Sequence, residues 1–179
     1  MPHAKGCATF RIQQDLCLMP EIVLSFQEYP DYQSLPTHLQ VLFQQAQEAC
    51  TKAYAPYSKF YVGAAVALAT GEIIQGCNQE NSALPSGLCA ERTALYATGV
   101  QFPGARIETI AITACRDKTD CKPISITPCG GCRQVMMEFE ERQNSPMQIL
   151  ITSQSGGYKL IPSASSLLPF NFGKEYLTQ

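Results

Sequence analysis

Two short segments hold the groups able to do chemistry, Cys89-Ala90-Glu91-Arg92 and Pro128-Cys129-Gly130-Gly131-Cys132-Arg133-Gln134. Together they supply three thiols and one carboxylate. Three thiolates fill three positions of a tetrahedral zinc ion and leave the fourth open to water, which is the arrangement of a catalytic zinc rather than a structural one. Glu91 stands two residues beyond Cys89, close enough to handle a proton on that water. The chemistry these types and spacings spell is metal-assisted hydrolysis.

Other readings of the same residues are weaker. A Cys-x-x-Cys pair at Cys129 and Cys132 is also a redox motif, but that leaves Cys89-Ala90-Glu91 without a purpose. A structural four-thiolate zinc needs a second pair, and Cys115 and Cys121 are not spaced as a zinc knuckle. Glu91 alone could be a first-turn glutamate favoured by the helix dipole. His3 and His38 sit in or before the first expected helix and read as solvated rather than as ligands.

Both segments stand where a loop enters an expected helix, and such a terminus favours thiolate over thiol. Cys129 and Cys132, spaced i and i+3, come to one side of the first turn, and Pro128 suits the start of that helix. The remaining elements must position these two turns. Leu39, Leu42, Phe43, Ala46, Ala49, Cys50 and Ala53 recur at steps of three and four, so the spacing predicts a helix over 36–53, capped by Ser34 or Thr37. Strands are expected over 61–69 and 73–77, joined as a hairpin by Thr70-Gly71, then over 109–114, 148–152 and 158–161. The two site helices are expected from Cys89 to Gly99 and from Cys129 towards Glu141. The order β-β-α-β-α-β implies an α/β domain, a mixed β-sheet of about five strands flanked by helices.

Residues 36–179 are read as the catalytic domain and 1–35 as an N-terminal extension, with strands expected over 9–13 and 21–29 that would serve as a sheet edge or a contact between copies. The 179 residues suffice to bury a core without staples. The formal net charge is -2 with no run of Lys and Arg, which argues against nucleic acid as the substrate and for a small, nearly neutral ligand. Lys5, Arg11, Asp15 and Glu21 interrupt the first 25 residues, so neither a signal peptide nor a membrane span is expected. Nine cysteines without such a leader fit a reducing, cytoplasmic compartment. Cys7, Cys17, Cys50, Cys77, Cys115 and Cys121 are read as small buried residues or idle thiols.

The chain resembles the cytidine deaminase family, in the small homotetrameric type with three cysteine ligands. The likeness rests on Ala55-Pro56-Tyr57-Ser58-Lys59-Phe60, Val62-Gly63-Ala64-Ala65, Gly76-Cys77-Asn78-Gln79-Glu80-Asn81, Cys89-Ala90-Glu91-Arg92-Thr93-Ala94, the Pro128–Gln134 segment and Leu167-Leu168-Pro169-Phe170-Asn171-Phe172-Gly173. It covers about three-quarters of the chain, from Ala46 onward. Tyr61 stands where the family commonly has proline, and Leu84 where it commonly has tyrosine.

The resemblance implies a three-layer α/β/α fold and one Zn²⁺ per subunit, held by Cys89, Cys129 and Cys132. It implies that Glu91 moves protons from water to N3 of the base and to the leaving amino group, converting cytidine and 2'-deoxycytidine to uridine and 2'-deoxyuridine plus ammonia, in pyrimidine salvage. Arg92 would offset the formal -1 charge of a zinc ion with three thiolates. Asn78 and Glu80 are assigned to the sugar, Phe60 and the Ala90 N–H to the base, and Phe172 to a neighbouring subunit's site. A carboxylate at Glu80 disfavours a phosphorylated sugar, so the nucleoside is expected rather than the nucleotide. The rival expectations are a deaminase for a modified cytosine nucleoside of the blasticidin type and a non-catalytic zinc-binding module.

Overall fold

The structure is a computed structural model that describes residues 20–177. The strand expected over 9–13 lies outside the described residues. In chain order the elements are β1 (Gln27–Tyr29), α1 (Thr37–Thr51), β2 (Tyr61–Leu68), β3 (Ile73–Cys77), α2 (Ala90–Gln101), β4 (Ile107–Cys115), α3 (Gly130–Gln143), β5 (Gln148–Thr152) and β6 (Tyr158–Ile161). Three single-turn 3-10 segments cover Leu84–Ser86, Ser165–Leu167 and Lys174–Tyr176.

The strands form one six-stranded sheet in the order β1-β6-β5-β4-β2-β3. Every neighbouring pair is antiparallel except β4 and β5, which run parallel and are bridged by α3. This is the expected mixed sheet with one strand more than the five anticipated. The sixth is β1, which pairs Gln27 to Tyr29 with Leu160 to Tyr158. Only residues 27–29 of the anticipated 21–29 strand are extended partners in the sheet.

Alternation along the strands sorts the apolar residues onto two faces. Ala64 and Val66 of β2, Ile110 and Ile112 of β4, and Ile149 and Ile151 of β5 pack with Ala90, Ala94 and Leu95 of α2 and Met136 and Phe139 of α3. Their neighbours Ala65, Ala111 and Leu150 pack with Leu39, Leu42, Phe43 and Ala46 of α1 on the other face. Among the described residues the result is three layers, with α1 on one side and both site helices on the other.

Close approach fixes where those helices lie. A Cβ on Gly76 of β3 would collide with Ala94 N and Ala90 O, so α2 crosses the sheet against a bare backbone. Gly63 plays the same part under α1, where a Cβ would meet Ala46 O and Cys50 N. The hairpin turn is made by Gly71 at φ 100, a left-handed conformation glycine adopts without steric cost.

Two local expectations are corrected. The residue before α1 is Pro36, without a side-chain cap, so neither Ser34 nor Thr37 caps this helix. Ser34 instead closes a turn with Asp31, whose Oδ1 accepts from the Ser34 N–H at 2.8 Å. Cys115 and Cys121, read as unpaired, are joined by a disulfide. No helix among the described residues is long and apolar enough to cross a membrane.

Candidate metal centre and active-site cleft

Cys89 and Cys129 are the N-cap residues of α2 and α3, and Cys132 lies in the first turn of α3. Both caps are extended, with ψ of 154 and 165, so each chain enters its helix with the cysteine at the mouth of the free N–H groups. The two helices start side by side on the same sheet face, which brings the three sulfurs together. Sγ of Cys129 is 3.9 Å from that of Cys89 and 3.4 Å from that of Cys132. All three lie within 4.8 Å of one another. A tetrahedral zinc with bonds of about 2.3 Å to sulfur needs sulfurs about 3.8 Å apart, so this donor set fits the ion.

The surroundings favour negative charge on sulfur. Arg92 donates from Nη2 to Cys89 Sγ at 3.6 Å. The Cys89 thiol is pulled down to about 5, first by the Cys132 thiol donating to it and then by Arg92 and Cys129, against the opposing effect of burial. Cys132 is correspondingly pushed up, first by that same hydrogen bond and then by burial. Glu91 is 4% exposed, and its carboxyl is raised above the usual range, chiefly by burial and then by the neighbouring Cys89 charge.

Cys89, Glu91, Arg92 and Cys129 line a cleft of about 730 Å³, with Cys132 buried and outside its lining. Its lining includes Phe60, Asn78, Glu80, Cys89, Glu91, Arg92 and Cys129. The structure therefore gathers most of the sequence-expected site residues into one space. Ala90 is fully buried at the first position of α2, between Cys89 and Glu91. Phe172 stands apart: it does not line the cleft, is 58% exposed, and stacks on Tyr176 with ring centroids 5.4 Å apart.

Asn78 and Glu80 are tied to backbone in a way the sequence did not signal. Asn78 Oδ1 accepts from Val62 N at 2.8 Å and its Nδ2 donates to Phe60 O at 2.9 Å, pinning the start of β2. Glu80 Oε2 accepts from Tyr57 N at 2.9 Å and Ser58 N at 3.3 Å. Its carboxyl is held below the usual range, first by the Ser58 hydroxyl.

The cleft also holds residues that sequence reasoning passed over. Arg116, just beyond β4, places its guanidinium 4.8 Å from the Phe60 ring centroid, while Ile126 and Thr127 line the wall leading to Cys129. All three lie in a polar loop without periodicity, so nothing local marked them. Leu84, one of the two departures from the resembled pattern, lines the cleft edge and is 78% exposed. Tyr61, the other, begins β2 with Lys118 Nζ over its ring at 4.9 Å.

Comparison with known proteins agrees with this geometry. Residues 36–145 match the family described as the cytidine and deoxycytidylate deaminase zinc-binding region. Over 137 residues the chain is 39% identical to a cytidine deaminase of Sporosarcina psychrophila, spanning 76% of this chain and 93% of that one. A cytidine deaminase of Halalkalibacterium halodurans is 41% identical over 100 residues, 56% of this chain and 70% of that one. Among solved structures, the cytidine deaminase of Burkholderia pseudomallei superimposes with a TM-score of 0.63 at 36% identity, covering 77% of this chain and 100% of that one. That of Mycobacterium tuberculosis gives 0.57 at 32% identity, covering 77% and 99%.

Proposed function

The chain belongs to the cytidine and deoxycytidylate deaminase family, and from that premise we infer how its own residues carry out the zinc-dependent hydrolysis of cytidine to uridine and ammonia. 2'-Deoxycytidine is the second substrate, giving 2'-deoxyuridine. The observation that carries the reading is the buried Glu91 carboxyl beside three sulfurs spaced for one zinc ion.

Cys89, Cys129 and Cys132 hold the metal. Bound zinc supplies a Lewis acid that makes water nucleophilic near neutral pH. Glu91 accepts the proton that the attacking water gives up and delivers it to N3 of the base, then takes the proton of the new C4 hydroxyl and passes it to the amino group, which departs as ammonia. Its raised affinity for protons suits both halves of that task, and general acid–base help of this kind contributes about 10²–10⁴ in rate. Arg92 offsets the negative charge of three thiolates by donating to Cys89.

The Ala90 N–H, free at the helix start, donates to the base carbonyl, and Phe60 offers its ring to the base. Glu80 takes its two backbone bonds on Oε2, and beside the Ser58 hydroxyl its carboxylate still has lone pairs left for a ribose hydroxyl. Asn78 has both side-chain atoms engaged, yet its second N–H and second lone pair can meet the sugar without breaking either bond. Phe172 and the exposed Leu84, Tyr96, Val100 and Phe170 are surfaces for neighbouring copies in a homotetramer, where Phe172 would complete another subunit's site. The ligand thiols suit a cytoplasmic setting.

The test is turnover of zinc-loaded protein, followed by the ultraviolet change as cytidine becomes uridine. Conversion that Glu91→Ala abolishes while zinc stays bound supports the reading. Absence of conversion at full zinc content, with cytidine or deoxycytidine, overturns it.

A further inference from the structure

A second group of sulfurs lies on the opposite face of the sheet. Sγ atoms of Cys50, Cys115 and Cys121 are all within 4.8 Å of one another, with Cys115 and Cys121 joined and Cys50 free. Cys115 is the last residue of β4, and Cys121 lies in the segment 116–128 that runs from β4 to the metal-binding Cys129. That segment carries Arg116, Ile126 and Thr127 into the cleft. Its far half is fastened to the sheet, Ile124 N donating to Ala114 O at 2.9 Å and Thr152 Oγ1 to Ile124 O at 2.7 Å. Its near half is fastened by the disulfide and by Lys118 Nζ, which donates to Ala53 O.

We propose that Cys121 is a thiol-exchange site whose bond to Cys115 sets the position of Arg116 over Phe60 and so the shape of the cleft mouth. This chain holds its metal through three cysteine sulfurs, so it works where thiols persist, and disulfides in such settings are usually reversible. Cys115 is fully buried, whereas Cys121 is half-buried, so of the two sulfurs it is the one an incoming small thiol would meet first. A thiolate of that small thiol attacks Cys121 Sγ. The sulfur–sulfur bond breaks, and its electron pair leaves on Cys115 Sγ, which takes a proton. A second small thiol then displaces Cys121 from the mixed disulfide. Two small thiols are oxidised to one small disulfide, and Cys115 and Cys121 are reduced.

The third sulfur does not scramble this pairing. Cys50 is fully buried, donates to Thr113 O at 3.5 Å, and is pushed up to about 12 by burial, so it stays a thiol rather than an attacking thiolate.

The experiment equilibrates the zinc-loaded full chain in glutathione buffers of graded thiol-to-disulfide ratio and maps alkylated cysteines by mass spectrometry. Cys115 and Cys121 are expected to become alkylated together as the ratio rises, with zinc constant at one per chain. In the same samples KM for cytidine should rise about 3- to 10-fold while kcat changes less, because a loosened Arg116 misplaces the cleft wall rather than the reacting groups. Cys121→Ser should show the raised KM at every ratio, and Cys50→Ser should respond as the wild type does. Alkylation of both cysteines at all ratios, or an unchanged KM in Cys121→Ser, overturns the proposal. So does a second zinc per chain that Cys121→Ser removes, since the three sulfurs would then be a metal site. The alkylation map needs no turnover, so its failure is distinct from failure of the deaminase reading on which the KM arm rests.

Discussion

Arg92 reaches back across the first turn of α2 to place Nη2 3.6 Å from the Sγ of Cys89, so the cation and the sulfur it bonds belong to one turn of one helix. Arg92 is held high in return, first by that hydrogen bond. Removing the guanidinium takes away a donor to sulfur and leaves an anionic centre uncompensated. Arg92→Ala should weaken zinc retention by about 10–100-fold, the usual cost of losing an outer partner of a metal ligand. Competition with a chelator measures it, and Arg92→Lys should recover only part because a point charge replaces a directed fork. Unchanged zinc affinity in Arg92→Ala would remove the residue from the metal centre.

Cys132 differs from its two companions in burial, being fully enclosed while Cys129 is exposed. Cys132→Ala leaves two thiolates, too few for a tightly held ion, and substitutes a small apolar group in an apolar setting. The variant should therefore stay folded by circular dichroism, lose zinc by elemental analysis, and lose nearly all turnover. Full zinc occupancy in this variant would mean that the ligand set is misassigned.

What the sequence made legible follows from the range of each interaction. The i, i+3 spacing of Cys129 and Cys132 and the placement of Cys89 before a helix are local facts, and the helix geometry converts them directly into nearby sulfurs. Five of the six strands were legible because alternation and turn residues are also local. β1 was overextended, since 21–26 carries apolar residues that never enter the ladder. The Cys50, Cys115 and Cys121 cluster needed the packing of α1 onto β4, a contact between segments 63 residues apart that no spacing rule encodes. The same holds for Asn78, whose amide bonds the backbone of residues 60 and 62 at the neighbouring strand. Arg116 enters the cleft because the antiparallel register of β2 and β4, with Tyr61 opposite Cys115, carries on to set it across from Phe60.

Gly76 sets the distance between the sheet and the helix that carries Cys89 and Glu91. A methyl group there would meet Ala94 N, Ala90 O and Ala94 Cα, all of them backbone atoms that cannot step aside individually. Gly76→Ala should therefore push α2 outward and misplace Glu91 and Cys89 together, costing about 1–3 kcal/mol as overpacking does. Denaturant unfolding reads the stability change, and kcat should fall with it. Wild-type kcat in a destabilised variant would show that the site tolerates a shift of the whole helix.

Cys50 predicts a specific loss of alkaline stability. Burial is the leading cause that pushes its thiol up from an ordinary value of 9.0 to about 12 in the fold. Between those values the folded state holds a proton that the unfolded state has released, so stability falls as pH rises above the unfolded value. Below it the contribution is constant. From pH 9 to about pH 10.5 this one thiol should remove about 1–2 kcal/mol of folding free energy. Cys50→Ala lacks the group, so its stability should decline less steeply over the same window even if its absolute value is lower. Unfolding midpoints of both proteins at the two pH values make the comparison, with the other titrating groups cancelling in the difference. Parallel declines would show that Cys50 ionises as readily in the fold as in the open chain.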